Sequence, residues 1–233
     1  MRLVSLISIF IFISGFYIQP ESERVSLHMV NKTLKDGKVV TIESDIYYQG
    51  HMRRMLTRFI RPADYILINS STGESKIFNP SKNEVQLLQH DFLKTGNNLL
   101  YFFFTNQLQN LGMKEAGYTL VDTQKENDSL ISTYRPNNKN KTGVSKVIMV
   151  HENFAPIYAA FYNTKGWISR KIYYSDYHTY EKFLLPGRIT EISFTNPKDS
   201  IITRTIFSDV KTGRLAVSDY FEFDVPENAK IVK

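Results

Sequence analysis

No cysteine occurs among the 233 residues. That absence excludes a disulfide framework, a thiolate metal site and a cysteine nucleophile. It also removes any cysteine that could accept a lipid after the apolar leader, so the protein is not itself a bacterial lipoprotein. Catalytic signatures are missing too. There is no G-x-S-x-G elbow, no P-loop and no glycine-rich dinucleotide fingerprint. The five histidines, His28, His51, His90, His151 and His178, lack ligand spacing such as H-x-x-x-H. His151-Glu152 and Asp176-x-His178 are local pairs that read, at strand spacing, as solvent-facing polar residues. The expectation is a protein that is not an enzyme, with no catalytic residue, no metal and no cofactor.

Charge of one sign is only mildly in excess, with 29 Lys and Arg against 23 Asp and Glu. The surplus is spread out, with Arg53, Arg54, Arg58 and Arg61 along one segment and Lys139 and Lys141 in another. Nucleic-acid binding needs a clustered basic face with stacking aromatics, so no nucleic-acid partner is expected. Weak attraction to an anionic membrane surface fits better. Four N-x-S/T sequons, at Asn31, Asn69, Asn127 and Asn140, matter only in a eukaryotic secretory pathway.

What is abundant is aromatic: 14 Tyr and 16 Phe, but one Trp, within an ordinary 42% hydrophobic and 22% charged composition. Such a bias suits a strand-rich protein, and also one that grips something apolar. Residues 1–18, MRLVSLISIFIFISGFYI, are one basic residue followed by an apolar run and Ser14-Gly15, the pattern of a cleavable secretory signal. The run is short for a membrane span; an uncleaved anchor is the alternative, because no A-x-A marks a cut. Residues 19–233 then form one domain in the periplasm, expected to be monomeric.

Along that domain the signals are those of an antiparallel meander. Asp36-Gly37 marks a hairpin, and Val40, Ile42, Ser44, Ile46 and Tyr48 alternate against Thr41, Glu43, Asp45 and Gln49, which predicts a half-buried strand. Met52 to Leu88 reads as four strands separated by Pro62-Ala63-Asp64, Thr72-Gly73 and Asn79-Pro80. Thr95 to Leu111 breaks the pattern. Leu100, Phe103, Phe104, Gln107, Leu108 and Leu111 recur at helical spacing, Asn97 or Asn98 can cap the start, and Gly112 can end it. Leu99, Tyr101 and Phe102 make this helix apolar nearly all round, so it is sandwiched or covers a cavity. Further strands lead to a short helical piece over residues 214–219 and a last strand through Phe221, Phe223 and Val225. The total is about eleven strands and one long helix, a mainly β (α+β) fold.

In order and spacing, these features resemble the periplasmic lipoprotein carriers of the LolA family. The residues that carry the resemblance are Arg61-Pro62-Ala63-Asp64-Tyr65-Ile66-Leu67-Ile68, Ser71-Thr72-Gly73, Ile77-Phe78-Asn79-Pro80, and the ending from Phe221-Glu222-Phe223-Asp224-Val225-Pro226 to Val232. The resemblance implies an incomplete antiparallel β-barrel whose concave face is covered by the apolar helix. It implies a carrier that binds acyl chains of lipoproteins, or a related lipid, and ferries them towards the outer membrane. An inner-membrane release complex and an outer-membrane acceptor would be its partners. The alternative on the same fold is an envelope-stress sensor or lipid-sensing interaction module. Two features depart from the family. A helix before the first strand has no counterpart between the leader and Val25, unless the apolar leader is retained and supplies it. The family's arginine near the start of the strand after the first hairpin pair falls close to His51, with Arg53 and Arg54 a step away.

Burying an acyl chain is worth ~0.8 kcal/mol per CH2, so a chain of roughly 15 carbons resists leaving the membrane by about 12 kcal/mol. A carrier must therefore offer a surface of similar apolarity and still release its load. The expected lining is Met55, Phe59, Ile66 and Ile68 from the sheet with Leu100, Phe103 and Phe104 from the helix. The plainer alternative is that these seven form a dry core.

Overall fold

Two-residue turns set the register of the first hairpin. Asp36 and Gly37 take φ of 50° and 72°, the left-handed pair that matches strand twist. They join β1 (Arg24–Lys35) to β2 (Lys38–Gln49) in an unbroken twelve-residue ladder. On β2 the expected alternation holds where it matters: Ser44, Ile46 and Tyr48 are buried, while Val40 at the far end is exposed. The computed structural model describes residues 23–89, 94–138, 143–196 and 199–232. The leader, His90, Asn140, Lys139 and Lys141 lie outside them.

The meander from Met52 to Leu88 forms as four strands, β3 (Arg54–Arg61), β4 (Tyr65–Asn69), β5 (Glu74–Asn79) and β6 (Glu84–Gln89). The one α-helix among the described residues follows, α1 (Leu99–Phe104). A second meander comes next: β7 (Tyr118–Glu126), β8 (Ser129–Pro136), β9 (Val144–Glu152), β10 (Ala155–Asn163), β11 (Ile168–Tyr180), β12 (Phe183–Asn196) and β13 (Asp199–Thr212). A three-residue strand, β14 (Lys230–Val232), ends the described chain. All fourteen belong to one open sheet, in the order β14-β6-β5-β4-β3-β2-β1-β13-β12-β11-β10-β9-β8-β7. The two meanders are joined by pairing β1 with β13 (Met29 opposite Phe207, Leu34 opposite Ile202). Every neighbouring pair is antiparallel except β14 on β6.

The sheet is strongly curved around α1. From β3 to β8 is eight strand steps, roughly 38 Å if flat. Yet Met55 of β3 and Tyr134 of β8 belong to one buried cluster with α1, and a six-residue helix is only about 9 Å long. This inner, concave cluster also takes Leu27, Ile46, Val147, Met149 and Phe161 from strands between. A second cluster, Leu56, Ile66, Ile68, Phe78 and Val85, sits on the outer face of β3–β6. There it packs against Tyr220, Phe223, Val225 and Ala229 of the C-terminal segment.

Several expectations are revised. Fourteen strands replace about eleven, and the stretch 176–185 resolves into the end of β11 and the start of β12. The long helix shrinks to six residues, preceded by a 3-10 turn (Thr95–Asn97). Asn106 and Leu111 have positive φ, 55° and 42°, which an α-helix does not accept, so the chain leaves the helix after Thr105 despite its periodicity. Residues 214–219 contribute two 3-10 turns, Gly213–Leu215 and Asp219–Phe221. Phe221, Phe223 and Val225 are not a strand; they cover the outer face of the sheet. Among the described residues no helix is long and apolar enough to cross a membrane.

Candidate ligand cleft

Helix α1 starts at Asn98, whose side-chain oxygen accepts the Leu100 backbone N–H at 2.9 Å. Leu100, Phe102, Phe103 and Phe104 are all buried. Their rings lock into the sheet: Phe104 lies 5.3 Å from both Tyr48 and Phe183, and Phe103 lies 6.1 Å from Tyr174. Phe103, Met55, Val147 and Met149 have no exposed surface at all.

The seven residues singled out by sequence do not share one surface. Met55, Leu100, Phe103 and Phe104 come together in the inner cluster. Phe59 is half-buried further along β3, on Met55's side of the strand. Ile66 and Ile68 face the other way. They stand opposite Arg58 and Leu56 across the β3–β4 ladder and belong to the outer cluster beneath the C-terminal segment. Alternation along one strand shows two faces but not which face meets the helix; register between strands decides that.

Past α1 the chain runs as successive turns from Thr105 to Gly117 and then enters β7. Leu108 and Leu111 hold this strap down, and Gly112, at φ 79°, lies against the Phe102 ring where no side chain would fit. The strap does not lie flush on β7, β8 and β9. Between them is a cleft of about 1100 Å³. Leu108, Leu120, Leu130, Ser132, Tyr134 and His151 line it, with Phe154, Lys114, Lys125 and Asp128 also along its walls. Leu120 and Leu130 are 50% and 44% exposed, whereas Val147 and Met149 one to two strands away are fully buried. Volume and mixed lining are those of small-molecule and lipid-sized sites. None of the predicted residues lines this cleft. The sequence signal that could have found it is the strap itself, with polar Asn106, Gln107, Gln109 and Asn110 interrupting an otherwise apolar helix pattern.

Two side chains tie the strap to the sheet. Tyr134 donates its hydroxyl to the Gln109 carbonyl at 3.3 Å, and His151 Nε2 lies 2.9 Å from the Leu108 carbonyl. A carbonyl only accepts, so Nε2 carries the proton. His151 Nδ1 is buried with no hydrogen-bond partner among the described residues. Burial pushes the His151 imidazole below its ordinary value, and the Leu108 carbonyl only partly offsets this. The unfolded chain therefore takes up the proton first on acidification. His151's contribution is fully present above about pH 6.5 and is lost as pH falls through the depressed folded value. We expect the melting temperature to fall more steeply between pH 7 and pH 5 in the wild type than in His151→Gln, which keeps a donor for Leu108 and does not titrate. Superimposable thermal profiles would remove His151 as the cause.

A smaller cleft of about 350 Å³ opens beside α1, over Tyr48, Tyr101, Phe104 and Phe183, with Arg24, Arg53 and Lys182 among its charged residues. Arg53 thus sits on the inner side. Arg54 turns outward and donates to the carbonyls of Phe221 and Phe223, and His51 is exposed in the turn before β3. His28 Nδ1 meets Asp45 at 2.8 Å with Ser208 opposite His28 on β13, but the three line neither cleft. Among the described residues no cluster of three or more His, Asp or Glu could hold a metal ion.

No protein-family model and no curated protein matches the sequence. Solved structures do. A DUF1329 family protein from Desulfovibrio piger aligns with a TM-score of 0.57 at 15% identity, over 86% of this chain and 89% of that one. A LolA superfamily protein from Nitrosomonas europaea gives 0.54 at 15% identity, over 86% and 96%. The fold is LolA-like. A domain assigned to outer-membrane lipoprotein sorting, from Vibrio parahaemolyticus, agrees at 0.55 and 14% identity over 84% and 88%. An open antiparallel sheet with a helix on its concave face is the architecture expected from the sequence. In this chain the space on that face lies beside the helix, under the strap.

Proposed function

We propose that this protein is a periplasmic carrier that holds acyl chains of lipoproteins, or a related lipid, in the cleft between the strap and β7–β9, and ferries them towards the outer membrane. The observation that carries the reading is the pair Leu120 and Leu130, half exposed on a concave face whose neighbouring residues are packed dry. Those leucines are the surface open to a chain, and the buried Leu108 borders it from the strap. Met55, Leu100 and Phe103 belong to the buried cluster under α1 and would be reached only if α1 and the strap lift. Two hydrogen bonds from Tyr134 and His151 hold the strap. At about 0.5–1.5 kcal/mol net each, they give way to a burial worth ~0.8 kcal/mol per CH2. Opening the strap is thus a small cost beside loading, and release requires an acceptor that offers the chain a similarly apolar surface. Residues 1–18 serve as the export signal, the load stays chemically unchanged, and the release and acceptor partners are membrane complexes.

Native mass spectrometry of the mature protein, purified from an exporting bacterial host, tests this. We expect adducts of acyl-chain mass on the wild type and their loss in Leu120→Asp/Leu130→Asp, whose exposed positions tolerate charge without unfolding. A clean apo mass, with no uptake of an added palmitoylated peptide, would eliminate the carrier reading.

A further inference from the structure

The turn Asn153-Phe154 joins β9 to β10, with Glu152 paired to Ala155 across it. Both central residues have positive φ, 48° and 65°, the two-residue hairpin geometry that favours Asn, Asp and Gly. Asn153 is an ordinary occupant. Phe154 is not, because a bulky side chain in the left-handed region is a genuine outlier. The β1–β2 hairpin makes the same kind of turn with Asp36 and Gly37. Phe154 carries a second unfavourable feature: it is 93% exposed, the most exposed large hydrophobic residue among those described. Glycine or asparagine at this position would remove both. Strained residues concentrate where function uses them, and Phe154 lines the cleft together with Leu130 of the adjoining hairpin.

We propose that Phe154 is a ligand-contacting residue, the apolar flap that closes over an acyl chain lying in the cleft. This deepens the carrier reading and rests on it. The occupant is a hydrocarbon chain rather than a polar ligand, because the side chain offered at that point is a phenyl ring with no hydrogen-bonding group. The two-residue hairpin sets the ring at the cleft wall, and side-chain rotation brings it down over the chain. On loading, ring and chain remove one another from water, and the exposure that is unfavourable in the empty protein becomes contact area.

The test compares wild type, Phe154→Gly and Phe154→Trp for binding of a palmitoylated peptide, alongside their melting temperatures. Phe154→Gly is expected to melt a few degrees higher, because glycine accepts the positive φ without strain, and to bind about tenfold more weakly. Phe154→Trp is expected to retain binding, and its emission should shift to the blue as the peptide is added. A purely structural turn would give the higher melting temperature alone. Binding by Phe154→Gly within about twofold of wild type, or a tryptophan whose emission stays that of an exposed indole, overturns the role of Phe154 and leaves the carrier reading standing. No uptake by the wild type overturns both.

Discussion

Replacing Phe103 with alanine is expected to destabilise the protein by about 3–5 kcal/mol, the largest effect of any single truncation in the helix. Phe103 has no exposed surface, and its ring lies between α1 and Tyr174 of β11. Deleting it removes its transfer free energy and leaves a cavity that a strongly curved sheet cannot easily collapse around. A loss of that size is a large share of the total stability of an ordinary domain. Urea unfolding measures it directly: the midpoint falls while the slope stays that of the wild type. The same substitution separates core from binding surface. Leu120 and Leu130, half exposed in the cleft, should tolerate aspartate with little change in midpoint and a large change in lipid uptake. A Phe103→Ala protein as stable as the wild type would mean that the helix is not anchored as its packing indicates.

That contrast also marks how far the sequence could be read. The first hairpin, the alternating strand β2 and the four strands between Met52 and Leu88 were legible, because Asp-Gly, Pro-Ala-Asp and Asn-Pro turns bracket runs with a period of two. The apolar helix was legible as an element but not in its length. Leu108 and Leu111 continue the helical spacing, yet Asn106 and Leu111 adopt positive φ, and spacing carries no information about φ. Ile66 and Ile68 alternate as cleanly as Met55 does. They belong to the outer cluster because the β3–β4 register aligns Ile68 with Leu56 rather than with a residue of Met55's face. The cleft was least legible of all. It exists because the strap stands off β7–β9, a tertiary spacing that local pattern does not fix. Two traces were present: the polar Asn106, Gln107, Gln109 and Asn110 that interrupt the helix pattern, and Phe154, a phenylalanine where a two-residue hairpin ordinarily uses glycine.

Removing residues 218–233 is expected to prevent the chain from accumulating as a soluble folded protein. Among the described residues, the partly buried hydrophobics packed on the outer cluster of Leu56, Ile66, Ile68, Phe78 and Val85 all come from this segment except Tyr47 of β2. Tyr220 stacks on Tyr47 at 5.1 Å, Phe223 lies 6.1 Å from Phe78, and Phe221 is buried. At about 1.5–3 kcal/mol for each large apolar side chain returned to water, exposing five costs about as much as the roughly 5–15 kcal/mol by which an ordinary domain is stable. The deletion also strips β14 from β6 and leaves an open parallel edge beside that apolar face, a template for aggregation. The ion pairs along the segment contribute little by comparison. Arg24–Glu222 and Lys76–Asp224 reach 2.6 and 3.2 Å, but both carboxylates are about 70% exposed, so Glu222→Gln should fall within about 1 kcal/mol of wild type. Arg54 is different, because it donates to the Phe221 and Phe223 carbonyls from a half-buried position. Arg54→Met leaves those acceptors unmatched and should cost about 1–3 kcal/mol. Hydrogen exchange in that variant should rise first in β4–β6 and leave β9–β12 protected, since the tail reaches only the outer face of the first meander. A truncated chain that stays monomeric and melts within a few degrees of the full one would show that the outer cluster covers itself.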